Sequence, residues 1–319
     1  MARWGERRAG EIGDREARPG GAADAGASDE YAALLDAVRG IRWPARSAVR
    51  GGIPGAHTSR LRGISAEFTE YRPYRQGDDP GRIDWKLFAR SDRAYIRLSN
   101  DRAILPTMIV VDASASMAFP LATQAKWKLA AQLGVGLGAV ARNSGDPVGM
   151  VITRSDDPVL LPPRMRRSVT HEIIRAVSET TPAGSTPIAP SLSIAAQTGG
   201  RLVIITDFLG DATDLLSVAS RWVVAGREVH AIHIVAREEL DPVHESAMVS
   251  DPEAGEVRRP LIGAAREQYL EAFGAWRESI AHDWSDAGIS YTMAVPGDET
   301  TEHLIRRIAA VRGGGATTA

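Results

Sequence analysis

The chain has 319 residues, 44% of them apolar and 24% charged, with a formal net charge of −2 from 38 basic and 40 acidic side chains. This composition suits one large or two modest globular domains, and the charge balance gives no reason to expect nucleic acid or an acidic membrane as partner. Cysteine is absent, which excludes disulfides, thiolate metal sites, iron–sulfur clusters and a cysteine nucleophile.

Residues 1–18 mix arginine with Glu6, Glu11, Asp14 and Glu16, and they lack the apolar core of a secretory signal. No run of about 18 apolar residues follows, so no membrane span is expected and a cytoplasmic location is the default. Residues 1–29 hold almost no large apolar groups and read as a disordered tail. Residues 30–43 place Tyr31, Leu34, Leu35, Val38 and Ile41 at helical spacing.

Residues 50–105 have a different texture. Glycine and proline punctuate short segments, and Phe68, Tyr71, Tyr74, Trp85, Phe88 and Tyr95 are interleaved with arginines. Short strands and turns are expected, making a small β-rich lobe, with a helical turn near Trp85. Such a lobe could stack single-stranded nucleic acid, although Glu67, Glu70, Asp78, Asp79 and Asp84 oppose that. It could be a packed subdomain whose arginines pair with acids, or a docking surface rich in Tyr, Trp and Arg.

From Pro106 onward, strands and helices alternate. Strands are expected at 108–111, 148–152, 159–161, 201–206, 228–235 and 289–295, and helices at 122–142, 168–179, 187–197, 212–225, 263–287 and 300–311. Residues 236–262 form an excursion with a hairpin near 251–255. The pattern predicts an α/β fold, a doubly wound and mostly parallel sheet covered on both faces. The domain division is then a 1–29 tail, a 30–105 helix and lobe, a 106–312 α/β domain and a 313–319 frayed end.

The first of these strands ends in Asp112-Ala-Ser114-Ala-Ser116, where a strand hands over to a helix. Thr186 follows Gly184-Ser185 at the mouth of a later helix, and Asp207 terminates the strand at 201–206. Strand ends and the loops after them collect at one edge of a parallel sheet, so Asp112, Ser114, Ser116, Thr186 and Asp207 can converge. Two carboxylates and three hydroxyls suit Mg²⁺ or Mn²⁺. A lone Asp-x-Ser-x-Ser is more often a turn or a helix cap; the two later positions raise the odds.

In that order, these residues resemble the metal-ion-dependent adhesion site of von Willebrand factor A domains. The stretch Arg72-Pro-Tyr74-Arg-Gln-Gly77-Asp78-Asp79-Pro-Gly-Arg82-Ile83-Asp84-Trp85-Lys-Leu-Phe-Ala89-Arg90 resembles the signature of the bacterial domain of unknown function 58 family. In that family the signature lies immediately before a von Willebrand A-like domain. One departure is that the family often has acidic residues after the arginine-rich strand, where this chain has Leu98-Ser99-Asn100-Asp101. The resemblance implies a metal that bridges to a partner's carboxylate, so that the site binds rather than catalyses. It also implies a MoxR-type AAA+ ATPase as partner, acting on a client protein in assembly or maturation.

The alternative is a metal-dependent hydrolase using the same pocket. A haloacid-dehalogenase-type phosphatase would need an aspartate where Ser114 stands. A serine hydrolase would need a glycine-flanked elbow, whereas Ala113 and Ala115 flank Ser114. His230 and His233 lie on opposite faces of a strand and make a poor metal pair. Gly134-Val-Gly136-Leu-Gly138 lies inside a helix, where small residues pack helix on sheet rather than cradle a dinucleotide. No phosphate loop occurs, so ATP hydrolysis would belong to a partner. The basic cluster Arg164, Arg166 and Arg167 reads as solvated charge.

Overall fold

A computed structural model describes residues 21–45, 54–58, 68–76, 78, 80–99, 102–185, 187–197, 200–210, 212–242, 247–250, 258–261 and 263–310. Residues 1–20 of the expected 1–29 tail, the frayed end at 313–319 and the hairpin turn at 251–255 lie outside the described residues. No described helix is long and apolar enough to cross a membrane.

The first helix, α1 (Gly21–Ala37), begins in the segment expected to be disordered and ends short of residue 43. Ala22, Ala23, Ala25 and Ala27 are strong helix formers, a preference that a search for large apolar groups overlooks. Beyond α1 the chain runs through buried Ile41 and Trp43 without helix. Short elements follow. Strands β1 (Pro54–Thr58) and β2 (Phe68–Pro73) precede helix α2 (Trp85–Ser91), then come β3 (Tyr95–Ser99) and β4 (Arg102–Ala103). β1 pairs with β4 and β2 with β3, both antiparallel. Asp84 caps α2 by accepting from the backbone N–H groups of Lys86 and Leu87, both at 3.0 Å.

The α/β part comprises β5 (Thr107–Asp112), α3 (Ala125–Asn143), β6 (Val148–Thr153), β7 (Val159–Arg164), α4 (Val169–Ser178), α5 (Ala189–Ala196), β8 (Arg201–Thr206), α6 (Ala212–Val224) and β9 (Glu228–Ile234). Then come α7 (Arg237–Leu240), the antiparallel pair β10 (Ala247–Ser250) and β11 (Arg258–Leu261), α8 (Gly263–Asp286), β12 (Ser290–Ala294) and α9 (Thr301–Ala310). The six-stranded sheet has the order β12-β9-β8-β5-β6-β7. All neighbours are parallel except β6 and β7. This is the expected doubly wound, mostly parallel sheet.

Both faces are covered, which is why the central strands β5, β6 and β8 read as nearly unbroken apolar runs. Along β5, Ile109 and Val111 face the core built with α3, α4 and α9, while Met108 and Val110 face the core built with α5, α6 and α8. The glycines of α3 pack as expected: a Cβ on Gly134 would sit 2.9 Å from Met150 Cε, and one on Gly138 would lie 3.3 Å from Ile173 Cδ1. Val38, Ile41 and Trp43 belong to the first of these cores. The segment grouped with the N-terminal lobe therefore completes the α/β domain.

Candidate metal centre

β5 sits at the point where the strand order reverses: the chain leaves it for β6 on one side, and β8 lies on the other. Ligands of open parallel sheets bind in the crevice at the carboxyl ends of the strands flanking such a point. Asp112 ends β5, and Asp207 follows the last residue of β8. Register places Val111 beside Ile205, which brings the two carboxylates to the same edge.

Past Asp112 the chain turns through Ser114 into a 3-10 turn, Ala115–Ala118. Ser114 N–H donates to Asp112 Oδ1 at 2.9 Å, and the hydroxyls of Ser114 and Ser116 lie 3.0 Å apart. Thr206 Oγ1 donates to Asp112 Oδ2 at 2.7 Å. Asp112, Ser114, Ser116 and Asp207 are only 4%, 4%, 3% and 2% exposed, so their charges and dipoles act on one another with little solvent between. Thr186 lies outside the described residues. Its loop is nonetheless tied to the serine turn: Ala115 N–H donates to Gly184 O at 2.8 Å and Ala183 N–H to Ala113 O at 2.9 Å. Gly184 has φ +68°, and a Cβ there would come within 2.8 Å of Ser155 Cβ, so only glycine lets this loop close on the β6–β7 turn.

Burial, then the negative charge of Asp207, pushes the Asp112 carboxyl up to about 6, against the pull of the Thr206 and Ser114 hydrogen bonds. Asp207 is handled differently. Lys126, wholly buried in the first turn of α3, places its ammonium 2.7 Å from Asp207 Oδ2 and 2.8 Å from Glu239 Oε1. Burial alone would draw the lysine proton off, but the two carboxylates outweigh it and hold the ammonium above its ordinary range. Asp207 Oδ1 accepts from Leu209 N–H at 3.2 Å. Glu239 uses its second oxygen, Oε2, to accept from Ala236 N–H at 2.6 Å at the start of α7.

Lys126, Glu239 and Thr206 were not among the residues singled out from the sequence. Lys126 carried a readable signal. A lysine in the first turn of a helix opposes the helix dipole, and its neighbours Trp127, Leu129 and Ala130 mark a buried face. Such a cation needs acids from elsewhere in the fold. Glu239 gave no signal, because α7 has only four residues.

The histidines are structural. His230 packs edge-on to Trp43 with ring centroids 5.1 Å apart, on one face of the sheet. His233 lies on the other, among Phe208, Trp276 and Tyr291, with Nδ1 2.6 Å from the Tyr291 hydroxyl. Burial pushes His233 down to about 3, so it is neutral at physiological pH.

The donors at the pocket are all oxygens, the chemistry of hard cations, and the paired serine hydroxyls beside an anionic Asp112 fit Mg²⁺ or Mn²⁺. Among the described residues no group of three or more His, Cys, Asp or Glu could hold a metal.

The family model described as protein of unknown function DUF58 matches residues 70–278. Uncharacterized protein Rv1480 of Mycobacterium tuberculosis is 27% identical over 290 residues, covering 88% of this chain and 90% of its own. Uncharacterized protein Mb1516 of Mycobacterium bovis matches to the same extent. Among solved structures, the chain is similar to an aerotolerance-related membrane protein from Bacteroides fragilis. That match has 19% identity and a TM-score of 0.40, and it covers 64% of this chain and 96% of that one. It is also similar to the SpRpn10 VWA domain, at 14% identity and a TM-score of 0.39, covering 67% of this chain and 100% of that one.

Proposed function

The chain belongs to the family of unknown function DUF58, and on that premise we propose that its α/β domain is a divalent-cation-dependent protein-binding module. The observation that carries this reading is the meeting of Asp112, the Ser114–Ser116 hydroxyl pair and Asp207 at the topological switch point. Asp112, Ser114 and Ser116, with Thr186 from the adjoining loop, would hold Mg²⁺ or Mn²⁺, and Asp207 would act directly or through water. The cation would supply an electrophile for a carboxylate of the partner. The loops that carry the site also present exposed apolar residues, Leu121 at 78% and Leu209 at 48% exposure, as a protein contact requires. The family resemblance extends the proposal to a MoxR-type AAA+ ATPase as the partner that hydrolyses ATP, with the present chain acting as its adaptor to a client protein.

A hydrolase would need a base free to take a proton from a bound water. Asp207 is engaged by Lys126 and Leu209, and His233 is buried with its proton affinity strongly lowered. The binding reading is therefore preferred.

Calorimetric titration of Mg²⁺ and Mn²⁺ into the chelator-treated protein tests it. One site is expected, lost in Asp112→Ala and weakened in Thr186→Ala. A purified MoxR-type ATPase should be retained by the protein in Mg²⁺ and released by chelator. Absence of cation binding both with and without the ATPase would sink the proposal.

A further inference from the structure

Lys126 is a wholly buried ammonium shared by two carboxylates, one of them a residue of the proposed cation pocket. On the reading of that pocket as a divalent-cation site, we propose that Lys126 is a built-in competing cation that sets the site's affinity, with Glu239 as the second carboxylate that shares its charge with Asp207. Lys126 is a positioning residue: it touches Asp207 rather than the cation.

The argument rests on geometry and charge. Asp207 Oδ2 faces Lys126 Nζ at 2.7 Å, and its Oδ1 accepts from Leu209 N–H. Both oxygens are thus engaged, and part of the carboxylate's charge is cancelled within the protein. Glu239 binds the same ammonium at 2.8 Å. Its second oxygen is fixed by Ala236 N–H, and its backbone carbonyl accepts from Tyr269 Oη at 3.1 Å, so the anchor itself is held in place. Electrostatic forces in a buried site are poorly screened, so a unit positive charge in contact with Asp207 opposes any second cation there. Whatever strengthens the grip of Lys126 on Asp207 weakens the divalent cation, and whatever loosens it does the reverse.

Two substitutions then act in opposite directions. Lys126→Met removes the competing charge and leaves Asp207 to the cation; Mn²⁺ affinity should rise about tenfold or more. Glu239→Gln keeps an acceptor for Ala236 N–H but removes the second negative charge at the ammonium. Lys126 then belongs to Asp207 alone, and affinity should fall about threefold to tenfold. Lys126→Arg, which keeps the charge, should lie much nearer the wild type than Lys126→Met.

The test is calorimetric titration of Mn²⁺ alone into the full chain and each variant, after thermal melts in chelator to show that each folds. Opposite shifts for Lys126→Met and Glu239→Gln support the proposal. So does the case in which the wild type binds no Mn²⁺ but Lys126→Met does, since the ammonium then excludes the metal altogether. Weaker binding in both variants, or no change in either, overturns it while the cation site stands. Silence from both wild type and Lys126→Met overturns this inference; the cation site itself falls only if the titration with the ATPase present is silent as well. Where Lys126→Met fails to fold, Glu239→Gln decides, because unchanged affinity there also overturns the proposal.

Discussion

Asp112 is ionised at neutral pH against the preference of its surroundings. Its folded pKa of about 6 lies above the ordinary 3.8. Below pH 4 both folded and unfolded chains carry the proton. Between pH 4 and 6 the unfolded chain releases it first, so stability falls as pH rises, and above pH 6 the full penalty is present. Asp112→Asn should therefore melt higher than the wild type at pH 7 in chelator, with the gain gone near pH 3.5. Added Mn²⁺ should stabilise only the wild type, and its affinity should fall as pH drops below 6. A melting difference from the wild type that does not move in the variant's favour between pH 3.5 and pH 7 would show that burial of the charge is not what sets this pKa. His233 has the opposite sign: its folded pKa of about 3 makes stability rise with pH up to about 6.5 and stay level beyond. At pH 7 it is neutral in both states and does not confuse the comparison. In the sequence, the spacing of Asp112, Ser114 and Ser116 marked a candidate site. The opposed electrostatics were not, since they depend on Thr206, Asp207 and Lys126 meeting Asp112 or one another across separate elements.

At the scale of elements, α3 carries both the buried lysine and a face of small residues. A Cβ on Gly136 would run into Ile305 Cδ1 of α9, in a core with no exposed surface at that residue. Gly136→Ala gains helix propensity, about 1 kcal/mol, but forces Ile305 from its place at a cost of about 1–3 kcal/mol. The net expected loss is about 1 kcal/mol by denaturant titration. Ile305→Val removes the clashing methyl. Combined with Gly136→Ala, it should be more stable than the sum of the two single changes by at least about 0.5 kcal/mol. Strict additivity would show that α3 and α9 do not meet through this pair. The glycines were readable as packing residues because they fall inside a helical period, and the central strands β5, β6 and β8 were readable because burial on both faces leaves them mostly apolar. What escaped was decided elsewhere. α7 is too short for any periodicity and is held by the Glu239 side chain, while the start of α1 rests on alanine propensity rather than on an apolar stripe.

Across the whole molecule, the sheet has a buried cation at each end. At the site end, Lys126 joins Asp207 and Glu239. At the opposite end, Arg201 opens β8 with its guanidinium 3.0 Å from Glu228 and 3.6 Å from Asp146. There the third partner is the segment before the lobe: Arg201 stacks 4.2 Å from the Trp43 ring and donates to the carbonyls of Trp43 and Pro44 at 3.3 and 3.2 Å. Trp43 showed no pattern in the sequence because its partner Arg201 lies 158 residues further along the chain. This end therefore works as a clamp that closes the N-terminal segment over the base of the sheet. Trp43→Ala should cost about 3–5 kcal/mol, since it opens a cavity and strips the guanidinium of its aromatic cover. Arg201 and the last residue of β8 are separated by a six-residue strand, about 17 Å of sheet. The two ends should be independent at that range. A Trp43→Ala protein that still folds at low temperature should thus bind Mn²⁺ within about twofold of the wild type while melting far below it. A tenfold loss of affinity would mean instead that the N-terminal clamp governs the cation pocket through the rigid strands between them.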